Sequence, residues 1–169
     1  MESNRDLRTA LGNLHGMRAL DFGTGDGETA KILADCGAAV TTVDAFSSDA
    51  PEAIVGDTRI RFLQVLNAAD VGSTLPFEND SYDRILARYV LQQTRDPLRL
   101  LRIQQELFRV LKPGGVYVLQ EDCGAAPAVG LHTPVGFCDS LREAGFMIES
   151  MEIDNEKSLT MQAVKQVEP

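Results

Sequence analysis

Three glycines at alternate positions follow a short apolar run early in the chain. The run RALDF ends at Phe22, and the next loop, GTGDG, contains Gly23, Gly25 and Gly27. Glycine has no Cβ and reaches positive φ, so the backbone can turn sharply and approach a ligand closely. The helix-like residues that follow would begin with free N–H groups, which favour an anionic group such as a phosphate or a carboxylate. The spacing indicates either a ligand-binding loop or a tight strand-to-helix turn.

An acid at the end of the next strand favours the ligand-binding loop. The segment AAVTTVDAF predicts a β-branched strand, and Asp44 follows Gly27 by seventeen positions. A carboxylate at such a strand end can accept hydrogen bonds from both hydroxyls of a ribose, although it can also be a solvated acid or a turn cap. The nicotinamide pattern G-x-G-x-x-G would need glycine at position 28, where the chain has Glu28. The loop and the acid together predict a nucleoside ligand.

Strand-like and helix-like segments alternate along the chain, which predicts βαβ crossovers and a mostly parallel sheet. A ligand then belongs at the carboxyl ends of the strands. The last two strands, separated by NEK, predict an antiparallel hairpin at the sheet edge. The predicted strands are 18–22, 38–46, 59–66, 82–90, 116–122, 146–154 and 158–166, and the predicted helices are 3–14, 28–37, 97–111 and 135–145.

Composition narrows the classes of function. The chain has 169 residues, 44% of them hydrophobic, and a formal charge of -9, so a single domain over 1–169 is expected, with 1–16 as a short helical cap. The acidic charge disfavours nucleic acid as a partner. Three cysteines without a CxxC pair predict neither a disulfide framework nor a metal site and fit a reducing cytoplasm. No apolar run reaches membrane-spanning length, and the polar start lacks a signal-peptide layout, so no membrane association and a cytoplasmic location are expected.

Several ordered motifs carry a resemblance to a known family. They are ALDFGTGDGETAKIL, VTTVDAF and the long run LPFENDSYDRILARYVLQQTRDPLRLLRIQQELFRVLKPGGVYVLQED. Over Arg18 to Asp122 the chain resembles class I S-adenosylmethionine-dependent methyltransferases (EC 2.1.1.-), specifically the small-molecule, type 11 group that includes ubiquinone and menaquinone biosynthesis enzymes. The resemblance implies S-adenosylmethionine as cofactor and S-adenosylhomocysteine as product. It also implies an α/β fold: a Rossmann-like three-layer sandwich whose seven-stranded sheet has the order 3-2-1-4-5-7-6.

The resemblance implies which residues contact the cofactor. Asp21 and the glycine loop would line its methionine part, Asp44 and Ala45 its ribose, and residues near position 70 its adenine. Asn67 or Ala68 are alternatives to Asp70, because the LNAADVGST segment is longer than in family members. Lys112 to Gly115 and Leu75 to Phe77 are expected to be structural. The predicted cofactor-binding set is Asp21, Gly23, Thr24, Gly25, Gly27, Asp44, Ala45, Asp70, Val71 and Arg88.

Methyl transfer from a sulfonium is an in-line displacement that depends mainly on a dry, oriented site. A general base would come from the rim beyond the fourth and fifth strands. His132 and Arg88 are the two catalytic candidates, His132 because histidine titrates near neutrality and Arg88 because it can bind an acidic acceptor. The alternatives are a lone loop histidine and an ion pair of Arg88 with Asp83 or Asp96. Other rim candidates are Tyr89, Gln92, Glu121 and Asp122.

The acceptor is expected to be a small or medium-sized molecule. Relatives cover the acceptor with a longer N-terminal segment and an insertion after the fifth strand, whereas the CGAAPAVGLHTPVG loop here is short. The acceptor pocket is therefore open or completed by a homodimer or a partner subunit. Two other functions remain: a non-catalytic or partner-dependent methyltransferase-like subunit, and a nucleotide-dependent oxidoreductase.

Overall fold

The computed structural model describes residues 7–8, 11–45, 47–65, 74–123, 133–154 and 158–167. The strands are β1 (Arg18–Phe22), β2 (Ala39–Asp44), β3 (Ile60–Gln64), β4 (Tyr82–Arg88), β5 (Leu111–Asp122), β6 (Met147–Ile153) and β7 (Ser158–Val164). The helices are α1 (Glu28–Asp35), α2 (Pro97–Val110) and α3 (Pro134–Glu143), and short 3-10 helices cover Glu52–Ile54 and Leu91–Gln93.

The seven strands form one sheet in the order β3-β2-β1-β4-β5-β7-β6. β1 to β5 pair in parallel, whereas β7 is antiparallel to both β5 and β6. This confirms the predicted strand order and the antiparallel C-terminal hairpin. Because parallel strands share a direction, β1, β2, β3, β4 and β5 present their carboxyl ends at one edge of the sheet.

A hydrophobic core lies on each face of the sheet. Alternate residues of a strand point to opposite faces, so Leu20 packs with Leu100 of α2 and Phe137 of α3 in one core. Its neighbour Ala19 packs in the other core with Leu33 of α1 and with N-terminal leucines. Helices on both faces of the sheet confirm the predicted three-layer α/β sandwich.

The helix that follows β4 has a side-chain cap at its N-terminus. Pro97 occupies its first turn, and Asp96 Oδ1 accepts a hydrogen bond from Leu98 N at 2.9 Å. Such a cap satisfies one of the backbone donors that a helix start leaves free. The apolar face of α2, including Leu100, Ile103 and Leu107, is buried against the sheet. The cap therefore fixes the place where α2 begins, next to the carboxyl end of β4.

The KPGG segment lies within β5, although a turn before the strand was predicted. The β4–β5 register passes from Tyr82↔Leu111 to Arg84↔Val116, so residues 112–115 bulge from the ladder. Gly114 N donates to the Lys165 carbonyl oxygen at 2.7 Å, which ties the bulge to the end of β7. The bulge lies where β4 begins, at the edge opposite the strand carboxyl ends, which agrees with its expected structural role.

Two of the predicted boundaries were wrong because the backbone enters the left-handed region. The N-terminal helix was predicted to reach Leu14, but Gly12, with φ 66°, lies outside it, after helical Leu7, Arg8 and Leu11. β4 was predicted to reach Val90, but it ends at Arg88 because Tyr89 has φ 54°. Phe46 and the NEK turn lie outside the described residues.

Candidate functional site

Two adjoining cavities open at the carboxyl ends of β1, β2 and β4. The larger has a volume of about 270 Å³ and the smaller about 170 Å³. Both are lined by Gly23, Gly25, Arg88 and Tyr89. They therefore form a groove that passes over the glycine loop, which is where the sequence predicted a ligand.

The three glycines of the loop have different neighbours. A Cβ on Gly23 would lie 2.7 Å from Val90 Cγ2, and one on Gly27 would lie 2.9 Å from Ile54 Cγ2. A Cβ on Gly25 would have no atom within 4 Å, although its φ is also positive, at 53°. Gly23 and Gly27 are thus required by packing inside the protein. Gly25 alone of the three leaves open space in which a ligand can contact the backbone.

The carboxylate of Asp44 faces the larger cavity and is held by the backbone on both sides. Its Oδ2 accepts from Gly25 N at 3.3 Å, and its Oδ1 accepts from Ser47 N at 3.2 Å. Asp44 and Ala45 both line the larger cavity. The structure thus brings the predicted ribose acid next to Gly25, the glycine of this loop that faces open space.

Asp21 lies behind the loop and lines neither cavity. It is fully buried, and Thr42 Oγ1 donates to its Oδ2 at 2.6 Å. The hydroxyls of Thr42 and Thr24 are 2.7 Å apart, which extends this polar chain to the smaller cavity. Within the described part of the chain, Asp21 Oδ1 has no hydrogen-bond partner. Burial raises the pKa of Asp21 to about 7, against the opposing effect of the Thr42 hydrogen bond.

Arg88 connects three elements at the wall between the cavities. Its Nε donates to Gln120 Oε1 at 2.8 Å, and its Nη1 donates to Glu28 Oε2 at 3.3 Å. Its guanidinium also lies over the Tyr89 ring, 5.1 Å from the ring centre. Arg88 therefore spans from the first turn of α1 to β5 and faces the groove.

The prediction that Arg88 forms an ion pair with Asp83 or Asp96 was wrong. Asp83 pairs with Lys112 at 2.7 Å and also accepts from Arg18 N. Asp96 caps α2. Both acids lie away from the Arg88 guanidinium, which pairs with Glu28 instead.

The turn between β4 and α2 forms the opposite wall of the larger cavity. Glu121, at the end of β5, accepts hydrogen bonds from three successive N–H groups of this turn, those of Val90, Leu91 and Gln92. Burial raises the pKa of Glu121 to about 7, while these hydrogen bonds oppose the shift. Glu121 lines neither cavity, so the rim-base candidate is in fact bound to backbone.

The other rim candidates are also engaged or lie elsewhere. Gln92 Oε1 accepts from Asp122 N at 3.1 Å, and the Tyr89 hydroxyl is 3.4 Å from Ser158 Oγ. Asp70, Val71, Asn67, Ala68 and His132 lie outside the described residues. Their roles at the site stay predictions.

α2 contributes to the larger cavity, which was not predicted from the sequence. Arg99 and Ile103 line it from one face of the helix. They are four positions apart, so they share a helix face, and α2 begins beside a strand carboxyl end. The four-residue spacing and the position of the helix start could together have predicted that these two side chains line the cavity. Among the described residues, Arg99 Nε has no hydrogen-bond partner although the atom is buried.

The part of the chain described by the structure contains no group of three or more histidine, cysteine, aspartate or glutamate residues arranged to hold a metal ion. None of its described helices combines the length and apolar character needed to span a bilayer.

A family model described as a methyltransferase domain matches residues 2–131. The chain belongs to the methyltransferase domain family. This match confirms the resemblance inferred from the glycine loop, Asp44 and the LPF-to-KPGG run. It also extends beyond the stretch from Arg18 to Asp122 on which that inference was based.

Individual proteins agree with this family. The methyltransferase domain is 36% identical over 116 residues to a demethylmenaquinone methyltransferase of Clavibacter sepedonicus, covering 66% of this chain and 44% of the relative. Its fold matches an S-adenosylmethionine-dependent methyltransferase of Mesorhizobium loti, with a TM-score of 0.77, 20% identity and coverage of 95% and 96% of the two chains. It also matches a chain in a Haloferax volcanii complex of the Trm112 methyltransferase activator with a methyltransferase, with a TM-score of 0.74, 17% identity and coverage of 97% and 89%.

The chain spans less than half the length of the first curated relatives that it matches. The named relatives support the small-molecule group of methyltransferases that the motifs indicated.

Proposed function

We propose that this methyltransferase domain binds S-adenosylmethionine in the groove over the glycine loop and transfers its methyl group to a small or medium-sized acceptor. The observation that carries the proposal is the pairing of Gly25 with Asp44. Gly25 offers backbone with open space beside it, and Asp44 offers a carboxylate oxygen 3.3 Å from the Gly25 backbone nitrogen. A nucleoside fits this pairing, since its ribose hydroxyls donate to a carboxylate and its bulk needs space free of a Cβ.

The smaller cavity fits the methionine part of the cofactor, which carries one ammonium and one carboxylate group. Asp26 adds negative charge at the rim of this cavity. The buried Asp21 carboxyl lies behind it, is linked to it through Thr42 and Thr24, and has an oxygen without a partner among the described residues. Both acids favour an ammonium. Arg88 and the first turn of α1 offer a guanidinium and backbone N–H groups, which favour a carboxylate. The charges of this cavity thus match a zwitterion.

The bound cofactor supplies an electrophilic methyl group on a positively charged sulfur. The residues of this chain orient the cofactor and exclude water. Asp44 and Gly25 hold one end of the cofactor, while Val90 and Leu91 present apolar surface to the groove. Displacement at a sulfonium removes charge, so an apolar wall and fixed geometry promote the reaction. A guanidinium offers hydrogen-bond donors and no acceptor, so Arg88 serves to bind charge rather than to accept a proton.

The chemical class of the acceptor follows the named relatives. The relatives at 30% identity or more include a demethylmenaquinone methyltransferase and a ubiquinone biosynthesis O-methyltransferase. We therefore propose a small organic molecule, with demethylmenaquinone as the first compound to test. A second proposal, activity that depends on a partner subunit, is supported by a neighbour of similar fold whose structure contains a methyltransferase activator.

Calorimetry with S-adenosylmethionine and S-adenosylhomocysteine tests cofactor binding, with NAD(H) as the negative ligand. We expect saturable binding of both sulfur compounds and none of NAD(H). Asp44→Ala should weaken binding by about 1.5 to 3 kcal/mol, or roughly one to two decades in Kd, through the lost charge-assisted hydrogen bonds. Asp44→Asn, which keeps one acceptor oxygen, should lose less. If Asp44→Ala bound both sulfur compounds with wild-type affinity, the cofactor site would have to lie elsewhere in the molecule.

Transfer of a labelled methyl group to demethylmenaquinone distinguishes an enzyme from a binding subunit. Label in the acceptor supports catalysis by this chain alone. Cofactor binding without label in any acceptor supports the partner-dependent alternative. Absence of both would overturn the proposed function.

A further inference from the structure

One wall of the groove is held by a single buried carboxylate. Glu121 accepts from Val90 N at 3.2 Å, from Leu91 N at 2.8 Å and from Gln92 N at 3.3 Å. These three donors begin the 3-10 helix Leu91–Gln93, and no side chain at its own N-terminus caps that helix. The carboxylate of a neighbouring strand therefore does what an N-cap side chain does in an ordinary helix.

Burial of a carboxylate at the position of Glu121 is unfavourable in free energy. Glu121 is fully buried, and it forms no ion pair among the described residues. A buried charge without a cation is unfavourable unless hydrogen bonds replace its hydration. Here the three backbone N–H groups supply that replacement, so the shape of the turn and the charge of Glu121 depend on each other.

The turn that Glu121 holds contacts the glycine loop directly. Val90 fills the space in which a Cβ on Gly23 would lie, at 2.7 Å from its Cγ2. Val90 and Leu91 also line the larger cavity. A further hydrogen bond joins this turn to the end of β5, because Asp122 N donates to Gln92 Oε1 at 3.1 Å. Displacement of the turn would therefore change both the cavity wall and the packing behind Gly23.

We propose that Glu121 is a positioning residue of the cofactor site, whose carboxylate fixes the turn Val90–Gln92 against the glycine loop. This inference rests on the proposed function, since it concerns the groove assigned there to S-adenosylmethionine. Glu121 itself contacts neither cavity and acts through the backbone of Val90 and Leu91. Removal of the Glu121 carboxylate should weaken the free energy of cofactor binding more than it lowers the free energy of unfolding.

The test compares Glu121→Gln, which keeps one acceptor oxygen in the same shape, with Glu121→Leu, which keeps none. Calorimetry with S-adenosylhomocysteine should show a Kd raised at least tenfold in Glu121→Leu and about two- to threefold in Glu121→Gln. Asp83→Asn is the matched control, because Asp83 also accepts a backbone N–H and lies at the opposite edge of the sheet. It should lower Tm and leave the Kd unchanged.

Amide hydrogen exchange of Glu121→Gln provides a second readout that does not require Glu121→Leu to fold. Exchange at Val90, Leu91 and Gln92 should accelerate selectively, while amides of β1 and β4 keep wild-type rates. Wild-type affinity in both variants, or unchanged exchange at the three amides, would overturn the positioning role while cofactor binding by the wild type still stands. Failure of the wild type to bind S-adenosylhomocysteine would overturn the proposed function and this inference together.

Discussion

Gly25 leaves open space in the groove because it has no side chain. The side chains of Val90 and Ile54 fill the space in which a Cβ on Gly23 or Gly27 would lie. Gly25 instead faces open space beside the Asp44 carboxylate. All three residues are glycines with positive φ, and the space beside each one depends on what surrounds it. At this scale the site is a pairing of backbone and carboxylate rather than a set of reactive side chains.

Gly25→Ala should weaken binding of S-adenosylhomocysteine by about tenfold or more, because its methyl group would occupy ligand space. The substitution also imposes left-handed backbone strain of roughly 1 to 2 kcal/mol. Gly56→Ala is the matched control, since Gly56 has φ 82° and open space but lies outside both cavities. Calorimetry and thermal denaturation should show a similar loss of Tm in both variants and weakened binding only in Gly25→Ala. Equal binding by the two variants would mean that Gly25 does not face the ligand.

α2 links the core to the groove. Its first turn begins at the Asp96 cap, and Arg99 lines the larger cavity one turn later. Near its other end, Glu106 Oε2 accepts from Leu75 N at 2.8 Å, and Arg109 donates to the Leu75 and Phe77 carbonyl oxygens. The LPF motif is therefore held to α2 by an ion pair of that helix, which gives the motif a structural role.

Asp96→Ala should lower the free energy of unfolding by about 1 kcal/mol, because Leu98 N loses its acceptor at the helix start. Urea denaturation followed by circular dichroism measures the change. Asp139→Ala serves as the control, because Asp139 is exposed in α3 and its contact with Arg142 is long, at 3.9 Å. That variant should stay within about 0.5 kcal/mol of the wild type. An equal effect of the two substitutions would contradict the capping role.

At the scale of the whole molecule, two buried carboxyls determine how stability responds to pH near neutrality. Burial raises the pKa of Asp21 and of Glu121 to about 7, well above the value of about 4 expected in an unfolded chain. Between these values the folded state binds more protons than the unfolded state, so this share of the stability is lost as pH rises. Ion-paired acids such as Asp83 and Glu106 have lowered pKa values, so their share is lost only at acid pH.

The Tm should therefore fall by on the order of 5 °C between pH 6 and pH 8. The net charge of -9 acts in the same direction through self-repulsion. The double variant Asp21→Asn/Glu121→Gln replaces both titrating groups and should lose most of this slope. Thermal denaturation at constant ionic strength measures both proteins. A wild-type Tm that stays constant or rises over this range would show that the two groups are ionised throughout.

Local sequence patterns were sufficient to predict the seven strands and the α-helices, but not the two 3-10 helices, and they placed Gly25 and Asp44 at the groove. The glycine spacing and the acid that ends β2 predicted the loop and Asp44, because a strand, a turn and a helix start each depend on neighbouring residues. The motif order predicted the strand order through resemblance to a family, and the sheet confirms it. Boundary errors arose at Gly12 and Tyr89, where backbone conformation is not visible in hydrophobic periodicity.

Contacts between distant residues were decided by the tertiary structure alone. Arg88 pairs with Glu28, sixty positions away, and Glu121 accepts from amides about thirty positions earlier. Which glycine of the loop faces open space depends on Val90 and Ile54, which lie in two other parts of the chain. The sequence determined which groups exist and the local geometry they adopt. The packing of the sheet determined which groups meet, because hydrogen bonds and burial depend on distances that sequence spacing does not contain.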